Sequence, residues 1–278
     1  MISRLAWVGM AGVLALSLAS CGTTRPSVGF EHEHEDVASD EADSHKAIAL
    51  EAVESEQAHA GFPEIRSSPM NLSAPTVPSR WKHHRLPGKQ ATLYAFTPID
   101  KRLALSATAV ASASMLRQSV YFEPGALRNI RFSWKVPALI AGADLTQRET
   151  HDAPVRVALS FAGDRAKFSL KNAMFSELAQ VLTGEPLPYA TLTYVWCNAC
   201  TRGSVLVNPR TDRIREIVLE SGPDHLGQWQ DYERDIRADF ERAFGESPGA
   251  LLHVGLMTDT DNSRESATAW YGPISLTQ

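Results

Sequence analysis

The sequence predicts a mainly β protein: an antiparallel β-sandwich with two inserted helices. Three observations predict it. Short apolar or alternating runs recur from residue 92 to residue 276, polar or Gly/Pro-bearing links separate them, and no regular strand–helix–strand alternation appears. The stretch from Arg80 onward is long enough for one substantial core, so residues 80–278 are expected to form a single domain.

The predicted strands are TLYAF (92–96), RLALSATAV (102–110), RFSWKV (131–136), VRVALSF (155–161), TLTYVW (191–196), SVLVN (204–208), IREIVL (214–219), LLHVGLM (251–257) and TAWYGPISL (268–276). Lys171 to Leu182 reads as a helix because Met174, Leu178 and Leu182 fall four residues apart. Gln228 to Phe244 reads as a second. Its stripe of Trp229, Tyr232, Ile236, Phe240 and Phe244 is expected to pack, with Gly245 as a stop and Pro248 beyond.

The first 20 residues differ in kind. Arg4 precedes an apolar core from Leu5 to Leu18, too short for a membrane span, which needs about 20 apolar residues. Its length and charge predict a secretory signal peptide over 1–20. The junction Leu18-Ala19-Ser20-Cys21 resembles the lipobox of bacterial lipoproteins. That resemblance implies cleavage before Cys21, a thioether-linked diacylglycerol on its sulfur and an added N-terminal acyl chain. Several acyl chains at about 0.8 kcal/mol per buried CH₂ anchor a protein stably. In the lipoprotein pattern, Gly22 rather than Asp after the cysteine implies the outer membrane, with the domain facing the periplasm.

Residues 21–79 are expected to be a disordered acidic tether, since large apolar side chains are sparse there. His32 and His34, with His45, are interleaved with carboxylates and offer a loose site for Zn²⁺, Ni²⁺ or Cu²⁺. From residue 80 onward stand 23 of the 27 Lys and Arg and 21 of the 32 Asp and Glu, so the domain is nearly neutral. That balance argues against a nucleic-acid partner.

Cys197 and Cys200 stand at C-x-x-C spacing between two strand signals. Two cysteines supply half of a structural zinc site, and a redox pair would open a helix, so a local disulfide is the leading expectation.

Four sets of residues could carry chemistry. In the stretch Met257 to Asn262, Asp259 and Asp261 alternate with threonines, which puts both carboxylates on one side of an extended chain. With Asn262 they could bind calcium, bind sugar hydroxyls, act as acid and base, or only cap a turn. The glycine that a calcium loop requires at its sixth place is replaced by Arg264. Asp152 and Arg156, beside His151, form a second set: a structural ion pair, or an Arg that clamps a ligand. Trp134 and Trp196 would be core residues, or a stacking platform for a pyranose ring. No nucleophile elbow, phosphate-binding loop, dinucleotide fingerprint or zinc-protease helix is present.

The ordered series WKV at Trp134, HDAPVRV at His151, YVW at Tyr194, AFGE at Ala243, MTDTDN at Met257 and a closing Y-G-x-I resembles an exported bacterial family known as domain of unknown function 3047. The resemblance spans about 78–276 and implies one domain without an established activity. That family tends to carry Asp where His151 and Pro273 stand here. More distantly, the closing strand, polar loop and last aromatic strand resemble those of galactose-binding-like jelly-roll modules, which implies a jelly-roll form of the sandwich.

Three functions remain in view. One is a lipid-anchored envelope protein that binds a glycan or envelope polysaccharide. The second is an envelope hydrolase using Asp259 and Asp261, with or without a metal. The third is a structural subunit of an envelope complex, which would show an exposed apolar patch rather than a polar cleft.

Overall fold

A computed structural model describes residues 66–67 and 81–277, all within one compact unit, 52–278. Cys21, His32, His34, the signal peptide and nearly all of the expected tether lie outside the described residues. The strands are β1 (Arg66–Ser67), β2 (Lys82–Arg85), β3 (Leu93–Ile99), β4 (Arg102–Val110), β5 (Ser114–Phe122), β6 (Asn129–Lys135), β7 (Ala153–Phe161), β8 (Ala190–Cys197), β9 (Val205–Val207), β10 (Ile214–Ser221), β11 (Trp229–Asp235), β12 (Leu251–Asp259), β13 (Ser266–Tyr271) and β14 (Ser275–Leu276). The helices are α1 (Leu170–Thr183) and α2 (Ile236–Phe244).

Among the described residues the strands form two seven-stranded sheets, the expected β-sandwich. The first runs β1–β14–β6–β13–β4–β3, with β11 also paired to β6; the second runs β2–β5–β12–β7–β8–β10–β9. Named strands pair antiparallel except β1–β14 and β8–β10.

Strand alternation builds the core. Val155, Val157, Leu159 and Phe161 of β7 and Leu192, Tyr194 and Trp196 of β8 join one buried cluster with Ile130, Phe132 and Trp134 of β6. Phe132 stacks on Tyr194 at 5.4 Å between centroids. The alternate residues of the second sheet point the other way, onto the face that carries the site.

Three elements differ from the sequence reading. Trp229–Asp235 is strand β11, paired residue for residue with β6, and only Ile236–Phe244 is helical. Alternation of exposed Asp231, Glu233 and Asp235 with half-buried Gln230, Tyr232 and Arg234 gives a period of two, which overrides the looser helical stripe. β5 and β2 gave no signal: β5 buries Ser114 and Gln118 where a strand pattern calls for apolar residues. The run TAWYGPISL divides into β13 and β14 at Gly272, where a Cβ would meet Ser133 Oγ at 2.1 Å.

Helix α1 starts on Ser169, whose Oγ accepts from Asn172 N, and stops at Gly184 in the left-handed region. Its apolar stripe does not pack. Leu170, Met174, Leu178, Val181 and Leu182 are all exposed, whereas Asn172 and Ser176 are buried.

Candidate functional site

The outer face of the second sheet, partly bordered by α1, holds a cleft of about 410 Å³. The pleat supplies its floor: Met257 and Gly255 of β12, Arg156 and Ala158 of β7, Thr191 and Thr193 of β8, and Ile214 and Glu216 of β10 share one face. Gly255 leaves space here: a Cβ would come within 2.5 Å of the Met115 sulfur and push that side chain aside. Its bare backbone lets Met115 lie across the floor. Leu86, Leu187 and Phe175 of α1 complete the apolar walls.

At one end the floor becomes charged. Arg156 Nε donates to Asp259 Oδ1 at 2.8 Å and Nη1 donates to Glu216 Oε1 at 2.8 Å. Its Nη2 donates to the His151 carbonyl at 3.1 Å and lies 3.4 Å from His151 Nδ1. The other ring nitrogen, Nε2, lies 3.2 Å from Glu216 Oε2 and 3.4 Å from Asn208 Nδ2. That Glu216 oxygen has no aligned hydrogen bond. Behind the network the Tyr271 hydroxyl donates to the Met257 carbonyl at 2.6 Å and accepts from Arg156 N at 3.3 Å, joining the two sheets.

The charges are therefore compensated internally. Burial works against the Arg156 charge, but Asp259 and Glu216 outweigh it and the guanidinium is held more firmly protonated than usual. Burial pushes Asp259 above the usual carboxylate range, and the attraction of Arg156 offsets only part of that. For Glu216 burial acts in the same direction, but Arg156 and His151 overcome it and the carboxyl is held below its ordinary value.

The structure gathers five of the sequence candidates and separates two. Asp259, Asp261, Asn262 and Arg156 line the cleft, with Asp152 just behind the Asn262 turn. Asp152 does not pair with Arg156; its two oxygens accept from Asn262 N at 3.2 Å and Ser263 N at 2.6 Å, capping that turn from another segment. Trp134 and Trp196 have no exposed surface and lie in the core between the sheets. Neither offers a face to a sugar. Each Arg156 nitrogen already has a partner among Asp259, Glu216 and His151.

The carboxylates of Asp152, Asp259 and Asp261 approach within 4.8 Å of one another, the spacing of a cation site. Each is already neutralised or capped: Asp259 by Arg156, Asp152 by two amides, and Asp261 by Lys89 Nζ at 2.5 Å. A calcium ion there would take the place of the Lys89 ammonium, whose side chain is partly exposed. The Cys197–Cys200 disulfide is formed, at the end of β8.

Glu216, Asn208, Lys89 and Phe175 escaped the sequence reading. For Glu216 a signal existed: it alternates with Ile214 and Val218 on one strand face, a lone carboxylate among apolar neighbours. Lys89 and Asn208 sit in connections whose composition says nothing.

Two solved structures resemble the chain. One is the xyloglucanase domain of NopAA, a type three effector from Sinorhizobium fredii in complex with cellobiose, 7% identical over 71% of this chain and 92% of that one, with a TM-score of 0.39. The other is MT Cel12A, a meso-active thermo-stable cellulase derived from the Cel12A cellulase of Rhodothermus marinus, 12% identical over 71% and 95%, with a TM-score of 0.38. No curated protein matches the sequence. The model of a family described as protein of unknown function (DUF3047) matches residues 79–275, nearly all of the described sandwich, and the chain belongs to that family.

Proposed function

We propose that the protein is a lipid-anchored protein of the cell envelope that binds a glycan in the cleft of its second sheet. The observation that carries this reading is the division of that cleft into apolar walls and a hydrogen-bonding end. Met115, Met257, Ile214 and Phe175 would meet the C–H face of a sugar ring. Asn262, Asp261 and Asn208 would meet its hydroxyls. The buried network around Arg156 holds that end rigid. The lipobox at Cys21 supports the anchor, and export to the periplasm supports an envelope polysaccharide as the source of ligand.

Filling the cleft tests binding without touching the ion network. Ala158→Phe, on the floor, is expected to lower affinity for envelope oligosaccharides more than tenfold in calorimetric titration while the protein stays folded. Unchanged affinity would remove the cleft from the account.

One observation favours a second reading, hydrolysis. Asp259 and Glu216 both line the cleft and flank one guanidinium, placing two carboxylates together as acid and base chemistry requires. This replaces the Asp259–Asp261 pair expected from sequence, because Asp261 is held by Lys89. Turnover of envelope glycan that Glu216→Gln abolishes while binding persists would establish it.

A further inference from the structure

We propose that α1 is a membrane-docking helix that rests its exposed apolar face on the anionic lipid surface to which the chain is anchored. The helix inverts the usual arrangement. Around its axis Leu170, Val181, Met174, Leu178 and Leu182 fall on one continuous side, and Phe175 carries that side to the cleft mouth. All six are exposed, Leu170 and Val181 by 79% and 80%. The side against the protein is polar. Asn172 Nδ2 donates to Asp212 Oδ1 at 2.6 Å and its Oδ1 accepts from Thr211 Oγ at 2.8 Å, while Arg165 donates to Ser176 Oγ. Polar tethers thus hold the helix in place and its apolar side outward.

Charge and size select the occupant. Lys167 and Lys171 are exposed, Lys171 in the first turn beside the apolar side and Lys167 just before the helix. On the helix itself the one carboxylate, Glu177, borders the apolar side one turn before Val181 and is outnumbered by the two lysines, and Glu185 beyond it is paired with Arg117. Basic residues beside an apolar strip suit anionic headgroups above acyl chains. The chain's own N-terminal segment after Cys21 is acidic and its large apolar side chains are sparse and scattered, so it is a poor cover. A second copy is also a poor one. A 14-residue helix is about 21 Å long and about 10 Å wide, and its footprint falls well below the roughly 800 Å² per partner of stable complexes. The inference rests on the anchored reading only for what brings the domain to the bilayer.

The test uses the mature chain from residue 21 with Cys21→Ser, so that no lipid is attached. In flotation with phosphatidylethanolamine–phosphatidylglycerol vesicles, this chain is expected to bind. Leu178→Glu with Val181→Glu is expected to reduce the bound fraction about tenfold. Lys167→Glu with Lys171→Glu, or vesicles without phosphatidylglycerol, should weaken it several-fold. Far-UV circular dichroism checks folding, and Leu178→Ser with Val181→Ser replaces any Glu variant that unfolds. A parent chain that does not float, or apolar-face variants that float equally, would overturn docking. So would a parent that sediments as a dimer which Leu178→Glu splits, or a face occupied by an envelope protein instead of lipid. Mass spectrometry of the mature N-terminus reads the anchor separately, and calorimetry reads the cleft, so failure of either is distinguishable from failure of docking.

Discussion

The two helices are capped alike and oriented in opposite senses. Ser169 and Asp235 accept from backbone N–H groups at their starts, and Gly184 and Gly245 end them in the left-handed region. Yet α2 buries Ile236, Phe240 and Ala243 in the core, with Phe240 against Phe161 at 4.7 Å, while α1 turns its leucines to solvent. Local sequence dictates that a helix forms and where it stops. Which of its sides faces the protein depends on what the rest of the fold presents: an apolar layer to α2, and the hydrogen-bonding groups of Thr211 and Asp212 to α1. A helix that keeps an apolar side outward is a surface made for something else.

The comparison can be broken most strongly at the network both helices leave untouched. Arg156→Met would strand Glu216 and Asp259 as buried carboxylates, with an expected loss of about 3–5 kcal/mol in urea unfolding. A loss below about 1 kcal/mol would mean that the network is solvated. Next, Phe240→Ala in α2 is expected to cost about 3–5 kcal/mol, whereas Leu178→Ala in α1 should change stability by no more than about 0.5 kcal/mol. Equal costs would erase the contrast. Asn172→Ala should cost about 1–3 kcal/mol, expressed locally as faster amide exchange across α1 while the sheets stay protected.

The smallest expected effect is in pH dependence. Glu216, with its folded pKa depressed, contributes stability that is present above its unfolded pKa and lost as pH falls through the folded value. Asp259, with its folded pKa raised, contributes in the opposite sense: its share is present below the unfolded pKa and lost as pH rises through the folded one. Between about pH 3 and 6, Glu216→Gln should therefore flatten the acid limb of the melting-temperature profile and Asp259→Asn should steepen it. Parallel profiles would contradict the opposed shifts.

The strands were legible where one face is apolar. RLALSATAV coincides with β4, and VRVALSF and LLHVGLM lie within β7 and β12. β5 was not legible, because it buries two polar residues, Ser114 through hydrogen bonds and Gln118 with its side-chain oxygen unpartnered, which no period reveals. Of the site, alternation placed Asp259 and Asp261 on one side, and both do reach the cleft. Their partners were hidden. Lys89 lies far from Asp261 in sequence, and Glu216 meets Arg156 only because β7, β8 and β10 are neighbours in one sheet. Sequence spacing reports neighbours along a strand and is silent about neighbours across it.

The central claim is that the cleft of the second sheet, and not the outer side of α1, receives the sugar. Methionine methyl NMR separates the two, because Met115 and Met257 line the cleft and Met174 stands on the exposed side of the helix. On titration with oligosaccharides released from the cell envelope, the Met115 and Met257 methyl signals should move together while Met174 stays fixed. Movement of Met174 alone, or no movement at saturating oligosaccharide, would contradict the account.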